Sequence, residues 1–224
     1  MRLVIRVGGS VVASPFNPSL MSAYAELLLT LKKQGHVIAA VVGGGSLSRE
    51  LIKTAKAMGL GEAAQDEVAI LVSRLTAQLM VLRLGKRGTQ TVPTSVAKAV
   101  KLVEEGKVVV MGGLKPGMTT DTVAALLAER VSADLLIKAT NVDGVFTKDP
   151  KKFRDARLID RLSYGELSGV FEKQRHEAGI HQVIDPEAAR ILRQSGTKTV
   201  VVNGFKPENV LAAVKGEKVG TVIR

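Results

Sequence analysis

The chain contains no cysteine and no tryptophan, and it has only three histidines in 224 residues. Without cysteine there are no disulfides, no thiolate nucleophile and no cysteine-ligated metal. The histidines, His36, His176 and His181, lack the spacing expected of zinc ligands on one helix. We therefore expect no histidine-based metal site, and we expect turn, packing or surface roles for these three side chains.

Aromatic residues are also scarce, at 3% of the chain, which leaves few platforms on which nucleic-acid bases would stack. The formal net charge of +11 has two interpretations. Lysines and arginines neutralise the phosphate backbone in nucleic-acid complexes, but a basic solvated surface with a few cations around a small polyanionic ligand gives the same charge. Because the cations are scattered and form no run of five, we favour the small ligand over nucleic acid.

Long hydrophobic runs are missing as well. No apolar stretch approaches the roughly 20 residues that a membrane-spanning helix needs. The amino terminus enters a strand pattern at residues 2–7 without the layout of a signal peptide. We expect a cytoplasmic protein that does not enter a membrane. Its length and its 46% hydrophobic content suit one sizeable α/β domain or two small ones.

Glycine, in contrast, is abundant where short apolar runs end. Four runs rich in Val, Ile or Leu are typical of strands buried on both faces, and a glycine-rich break follows each. The breaks lie at residues 7–10, 42–46, 111–113 and 139–144. In an open parallel sheet the carboxyl ends of the strands share one edge, and ligands bind outside it. Because glycines there let backbone N–H groups approach phosphate oxygens, the pattern predicts a phosphate-handling cleft.

Strand and helix patterns alternate along the chain, which predicts a three-layer α/β/α fold with a mostly parallel, open central sheet. We expect a single domain over residues 1–224, with two lobes on one continuous sheet. Residues 146–185 interrupt the regularity: they are polar, with one helical piece at 164–171, and indicate a lid or an irregular excursion. The longest helical pattern, at 62–84, carries leucines on one face, which suits either the core or a subunit interface.

Neither of the two common nucleotide-binding fingerprints is present. The turn at residues 8–10 lacks the Gly-Lys-Ser/Thr ending of a P-loop, and residues 43–45 do not match the dinucleotide pattern. What remains is a pair of glycine turns on neighbouring strands, the second of which opens a helix whose amino terminus favours an anion. Arg49, one turn into that helix, is placed either to hold a phosphate bidentately or to pair at the surface with a neighbour such as Glu50.

Six segments together resemble the amino-acid-kinase superfamily, and within it the archaeal-type uridylate (UMP) kinases. They read RVGGS at residues 6–10, VVGGG at 41–45, GGLKPGMTTDTVAALLAE at 112–129, TNVDGVFTKDP at 140–150, VIDPEAARI at 183–191 and GTVI at 220–223. The resemblance covers nearly the whole chain, and the longer motifs are its specific part. It implies an amino-acid-kinase-like fold and transfer of the ATP γ-phosphoryl group to UMP, which yields ADP and UDP.

The resemblance also implies a set of site residues. The donor phosphates would be held by Gly9, Ser10, Gly45 and Arg49, and the donor adenosine and ribose would be surrounded by Thr140, Asn141, Phe146 and Asp149. The acceptor would lie against Gly44, Asp66 and a loop of Leu114, Lys115, Pro116, Gly117, Met118, Thr119 and Thr120. The catalytic residues would be Asp121, Arg49 and Arg6. Mg²⁺ would be held mainly by the ATP phosphates and not directly by the protein, and the chain would form a homo-oligomer, a hexamer by resemblance.

The implied reaction agrees with the residues that the chain offers. A phosphate acceptor is already anionic near neutral pH, because its second pKa is about 6, so the reaction requires no general base. The sequence shows no catalytic triad and no histidine base. Positioning of the two substrates and stabilisation of their charge are then the catalytic work.

Several of these positions have a second interpretation. Asp66 lies near the start of its helix, where the dipole alone favours a carboxylate, and Asp121 is also placed to cap its own helix. Arg6 stands where many superfamily members have a lysine, and a guanidinium fork does not simply replace an ammonium. Lys115 and Lys138 are the alternative cations for the transferring phosphoryl group, and the sequence leaves the three cations unranked.

Three rival functions stay open. Another kinase of the superfamily would act on an amino acid, a carbamate or isopentenyl phosphate, although Asp66 and the Pro-Gly-x-Thr-Thr loop favour a nucleoside monophosphate. A non-catalytic nucleotide- or anion-binding protein would use the same scaffold, and ATP turnover distinguishes it from a kinase. A nucleic-acid-binding regulator rests on net charge alone.

Overall fold

A computed structural model of the chain describes residues 1–150, 152–167 and 183–224. Its centre is one seven-stranded sheet with the strand order β3-β2-β1-β4-β6-β7-β5. Neighbouring strands are parallel except for β6 and β7, which pair antiparallel. The strands are β1 Arg2–Val7, β2 Val37–Val42, β3 Val109–Met111, β4 Leu135–Thr140, β5 Arg161–Leu162, β6 Thr199–Asn203 and β7 Thr221–Ile223. The prediction of a mostly parallel open sheet is confirmed.

Helices pack on both faces of this sheet. They are α1 Gly9–Val12, α2 Pro18–Lys33, α3 Gly45–Ala57, α4 Glu62–Leu84, α5 Val96–Glu104, α6 Thr120–Arg130, α7 Pro186–Ser195 and α8 Glu208–Lys215, with a short 3₁₀ turn at Gly85–Arg87. Alternate residues of β1 show why the strands are apolar throughout: Ile5 packs into a core with Leu28 of α2, whereas Val4 packs into a second core with Leu127 of α6. Strands buried on both faces lack polar alternation, and the three-layer prediction is confirmed.

Four of the described helices, α2, α5, α6 and α7, begin with a side-chain cap. Asn17 accepts a hydrogen bond from the backbone N–H of Leu20 and is followed by proline at the first position of α2, an arrangement typical of helix amino termini. Ser95 caps α5 in the same way. Thr119 caps α6 and Asp185 caps α7. The last two caps lie beside the candidate site described below.

The polar segment 146–185 is partly described. Its first part is anchored by a bridge between Phe146 and Leu158. The short strand β5 then pairs with β7, an element that the sequence did not predict because two residues carry no periodic pattern. The predicted helical piece at 164–171 is helical over 164–167, and its remainder lies outside the described residues, as do His176 and His181.

One segment, Glu62–Arg87, is long and apolar enough by length and composition to cross a membrane. This corrects the expectation that no apolar stretch approaches that length. Here the segment contains α4, and 44% of its most apolar window is buried inside the protein. Val72, Thr76 and Met80 lie on the buried side of the helix. Because a core helix passes the same test, length and composition alone carry no conclusion about a membrane.

Candidate active site

The glycine turns that follow β1 and β2 pack backbone against backbone. A Cβ atom added to Gly9 would collide with the main chain of Gly45, and Gly45 itself has a φ of +70° and lies against the carbonyl of Ala13. Only glycine tolerates both the close approach and the left-handed conformation. The sequence therefore brings the two turns together at the carboxyl edge of the sheet, as predicted.

The residues expected to hold the donor phosphates surround these turns. Helix α3 begins at Gly45, and a helix amino terminus favours an anion; the N–H of Ser46 already donates to the carbonyl of Ala13, 2.8 Å away. Arg49 lies on the first turns of α3, and its Nη2 donates to the Oγ of Ser14, 3.3 Å away. Within the described chain this arginine forms no ion pair with Glu50. The contact leaves the guanidinium beside the α1 turn that begins with Gly9 and Ser10.

A buried ion cluster lies next to the turns. Arg6 and Lys138 are register partners on the adjacent strands β1 and β4, and both side chains meet Asp121, the second residue of α6. The Nε of Arg6 is 2.6 Å from Oδ1 of Asp121, and the Nζ of Lys138 pairs with Oδ2. The side chains of Arg6, Asp121 and Lys138 are only 15%, 12% and 7% exposed. We call these three residues the Asp121 cluster.

Electrostatics within the Asp121 cluster follow from burial and charge. Burial alone would raise the pKa of Asp121, but Arg6 and Lys138 outweigh it and hold that pKa below its ordinary value. Burial lowers the pKa of Lys138 to about 8; Asp121 opposes this shift and Arg6 adds to it. With two cations around one carboxylate, the cluster carries an excess positive charge, which suits an anionic ligand.

Of the three cations that the sequence left unranked, the structure brings two together. Arg6 and Lys138 share Asp121, whereas Lys115 is exposed on the loop after β3. From the sequence, Lys138 is expected only as an alternative cation, outside the three expected catalytic residues. The signal in the sequence was a single lysine inside an otherwise apolar strand, because a buried lysine needs a partner.

A cavity of about 420 Å³ adjoins the Asp121 cluster. The two are connected by Thr120, which lines the cavity and whose Oγ1 accepts a hydrogen bond of 2.8 Å from Nη2 of Arg6. Six of the residues expected to contact the acceptor line the cavity, namely Gly44, Asp66, Gly117, Met118, Thr119 and Thr120. Leu114, Lys115 and Pro116 do not line it.

Helix α4 forms one wall of this cavity and holds the loop opposite. Asp66 is the fifth residue of α4, beyond the first turn to which the helix dipole is largely confined. Its Oδ2 accepts the N–H of Gly117 at 2.7 Å. About two turns further along α4, the Oγ of Ser73 accepts a hydrogen bond from the N–H of Gly113 at 2.7 Å. The next residue, Arg74, donates hydrogen bonds to the carbonyls of Gly113 and Leu114, at 2.9 Å each. Sequence reasoning did not single out Ser73 or Arg74.

The residues expected around the donor adenosine lie elsewhere on the same edge. Thr140 ends β4 and pairs with the last residue of β6, and Asn141 follows it. Phe146 and Asp149 are partly buried in the segment beyond. These four residues are not part of the lining of the cavity beside the expected acceptor residues. The structure thus separates the expected acceptor side from the expected donor side.

The described residues offer no protein cage for a metal. Among residues 1–150, 152–167 and 183–224, no group of three or more His, Cys, Asp or Glu side chains is arranged to hold a metal ion. The buried carboxylate nearest the turns, Asp121, already has both oxygens paired with cations. These side chains therefore fit an anion better than a directly bound cation.

Glycine turns, buried cations and an adjoining cavity at one sheet edge define a phosphate-handling α/β protein. The family model of the amino acid kinase family matches residues 1–203. The chain belongs to the amino acid kinase family.

Individual relatives resemble the chain over its full length. A uridylate kinase from Methanocella arvoryzae is 43% identical over 224 residues, with 100% of both chains covered. A uridylate kinase from Methanothermobacter thermautotrophicus is 40% identical over 223 residues, covering 100% of this chain and 99% of the relative. Among solved structures, uridylate kinase from Archaeoglobus fulgidus superposes with a TM-score of 0.90 at 41% identity, covering 100% of both chains.

Proposed function

We propose that this chain transfers the γ-phosphoryl group of ATP to UMP, forming UDP and ADP. The Asp121 cluster supports this proposal most strongly. Arg6 of the cluster donates a hydrogen bond to Thr120, and Thr120 lines a cavity that has the carboxylate of Asp66 on its wall. Full-length relatives named uridylate kinases, at about 40% identity, supply the identity of the acceptor.

In this reaction an oxygen of the UMP phosphate attacks the γ-phosphorus of ATP, and the bond from that phosphorus to the β,γ-bridging oxygen breaks. The acceptor oxygen is already anionic, because the second pKa of the phosphate is about 6, so no side chain has to remove a proton. Arg6 and Lys138 stabilise the negative charge on the transferring group. Asp121 fixes the positions of both cations, which is the preorganisation that charge stabilisation requires.

The cavity would hold the acceptor. Asp66 would accept hydrogen bonds from the ribose hydroxyls of UMP with the oxygen that does not bind Gly117. Gly44 and the loop at residues 114–120 would surround the nucleotide, and Thr120 would direct its phosphate towards Arg6. A carboxylate that accepts from two hydroxyls discriminates strongly against analogues that lack them.

The glycine turns would hold the donor. Gly9, Ser10, Gly45 and Arg49 would contact the ATP phosphates, and Thr140, Asn141, Phe146 and Asp149 would surround the adenosine. ATP would enter as its Mg²⁺ complex, with the metal held by the phosphates as part of the substrate. No step requires the protein to bind the metal.

We also propose that the chain acts as a homo-oligomer, a hexamer by resemblance, in the cytoplasm, where it would supply UDP to pyrimidine nucleotide biosynthesis. Four leucines of α4 support assembly, since they lie on one face and stay exposed: Leu71 at 64%, Leu75 at 51%, Leu79 at 44% and Leu82 at 67%. An exposed apolar face of this kind is typical of a subunit contact.

The oligomer is tested by sedimentation of the Leu75→Glu variant, which places a charge in the middle of the leucine face. We expect a shift towards smaller species. Leu158→Glu is the matched control, because Leu158 is exposed but lies off α4. Unchanged sedimentation of Leu75→Glu would contradict the assignment of this face.

The reaction is tested by ADP release with ATP and Mg²⁺, comparing UMP, CMP, AMP and no acceptor. We expect turnover with UMP far above that with AMP or with no acceptor. Turnover with none of the nucleotides would overturn the proposal and would direct the search to the other acceptors of the family.

A further inference from the structure

Asp185 lies between two helix amino termini and serves both. It is the capping residue of α7, where its Oδ1 accepts the N–H of Ala188 at 2.9 Å. The same carboxylate reaches α6: Thr119 donates its hydroxyl to Oδ2 at 2.5 Å, and Thr122 donates to the two oxygens at 3.0 and 3.1 Å. A helix cap needs only the first of these contacts. The threonine contacts therefore need a separate explanation.

Thr119 shows what those contacts achieve. Its Oγ1 accepts the backbone N–H groups of Asp121 and Thr122, both at 3.1 Å. A hydroxyl has one proton and two lone pairs, so it accepts from the amides most effectively when its own proton points away. The carboxylate of Asp185 accepts the hydrogen bond that this proton makes. The carboxylate thereby fixes the hydroxyl that begins α6, and α6 carries Thr120 and Asp121 at its first two positions.

The geometry points to Asp185 as a positioning residue for phosphoryl transfer: it sets the start of α6, and through it the Asp121 cluster and the cavity wall at Thr119 and Thr120. This inference rests on the proposed function. The carboxylate of Asp185 neither lines the described cavity nor forms an ion pair with the cations, so its contacts position the site through Thr119 and Thr122. The backbone of Asp185 is also hydrogen-bonded to Asp121, and a substitution of the side chain leaves that group in place. Misplacement of reacting groups by about 1 Å costs up to about 100-fold in rate.

The charge of Asp185 also acts on the site. Lys138 faces Arg6 on β1, Asp121 on α6 and Asp185 at the start of α7, and the two carboxylates favour its charged form. Removal of the charge at Asp185 would lower the pKa of Lys138 further. The pH at which activity declines would then move to a lower value, which loss of a helix cap alone would not cause.

The primary test is Asp185→Asn. Asparagine caps helices about as well as aspartate, so α7 keeps its cap. The single acceptor oxygen of an amide has two lone pairs, and with one bound to the N–H of Ala188 it cannot also receive both threonine hydroxyls. Thr122→Val removes one donor and leaves the α7 cap untouched. Asn17→Ala is the matched control, since it removes the cap of α2 at a residue with no assigned role in the site.

We expect Asp185→Asn to lower kcat with UMP about 10- to 100-fold, with Thr122→Val changing it in the same direction by less. The KM for ATP should stay within a few-fold of the wild-type value, and the alkaline decline in kcat/KM should move to lower pH. Asn17→Ala should lower the melting temperature without changing kcat. Wild-type kcat and an unshifted pH profile in Asp185→Asn would overturn the inference.

Hydrogen exchange separates this inference from the proposed function. The amides of Asp121 and Thr122 should exchange faster in Asp185→Asn than in the wild type, whichever acceptor the enzyme uses. Unchanged exchange at both amides would refute the positioning role. Failure of the wild type to phosphorylate UMP would refute the proposed function alone, and the exchange rates would still decide the role of Asp185.

Discussion

Asp121 and Asp66 are carboxylates near the starts of two helices, yet their surroundings differ. Asp121 is 12% exposed and lies between Arg6 and Lys138. Asp66 is partly buried on the wall of the cavity and accepts one backbone N–H, from Gly117. Under the proposed function, the carboxylate enclosed by cations would organise charge, whereas the one that faces the cavity with a spare oxygen would bind the acceptor. The contrast predicts that the two residues control different kinetic constants.

The largest effect is expected for Asp121→Asn. The amide keeps the shape of the side chain but no longer holds the two cations, so kcat should fall about 100- to 1,000-fold, with a much smaller change in the KM for UMP. Loss of one partner from a buried ion cluster should also lower the free energy of unfolding by about 3–5 kcal/mol. Steady-state kinetics and denaturant unfolding measure the two quantities.

Asp134→Asn provides the matched control for this change. Asp134 also accepts a backbone hydrogen bond, from Arg2 at 2.7 Å, but that contact lies just before β4, at the amino end of the parallel strands. It should leave kcat unchanged. A wild-type kcat in Asp121→Asn would remove the distinction between the two carboxylates.

The second prediction concerns the pH dependence of the Asp121 cluster. Lys138 has a pKa of about 8; its ammonium is charged below that pH and neutral above it. Under the proposed function the charged form would stabilise the transferring group, so kcat/KM should fall about tenfold per unit as the pH rises above about 8. The phosphate of UMP does not titrate in this range, since its second pKa is about 6.

Lys138→Arg is the diagnostic variant for this pH profile. A guanidinium stays charged above pH 12, so the alkaline decline should disappear from whatever activity the variant retains. A decline at the same pH in both enzymes would assign the titration to another group. Asp66→Asn should leave the pH of the alkaline decline unchanged, because Asp66 lies on the cavity wall and not in the Asp121 cluster.

The smallest of these effects is expected for Asp66→Asn. Asparagine loses one hydrogen-bond acceptor towards the ribose, so the KM for UMP should rise about tenfold, a loss of about 1.4 kcal/mol within the usual range of a hydrogen bond to a charged group. The value of kcat should change only a few-fold. Glu67→Gln, at the exposed neighbouring position of α4, should change neither constant. A fall in kcat with an unchanged KM would contradict the assigned role of Asp66.

The sequence predicted much of this arrangement because its signals are local. The glycine breaks and apolar runs fixed the strands and the edge at which they end, and the turns at Gly9 and Gly45 lie together as expected. Arg6, which the resemblance implied, stands two residues before the first glycine of its turn. These features depend on a few neighbouring residues, and a parallel sheet allows few arrangements of its strand ends.

Other features depend on contacts between distant parts of the chain. The pairing of Lys138 with Asp121 requires the register of β1 against β4, which no local pattern specifies. Asp185 reaches Thr119 across a separation of 66 residues. The sequence could not distinguish whether the leucine face of α4 belongs to the core or to a subunit interface. In the structure, Leu71 and Leu82 on this face are exposed. Local periodicity identifies an apolar face but does not say what covers it.

If the Asp121 cluster drives γ-phosphoryl transfer to UMP, ³¹P NMR of the reaction mixture will show the transfer and its dependence on Asp121. With ATP, Mg²⁺ and UMP, the wild type should form UDP and ADP in equal amounts, and Asp121→Asn should form them at least about 100-fold more slowly. Absence of UDP with the wild type, or equal rates for the two enzymes, would contradict the account.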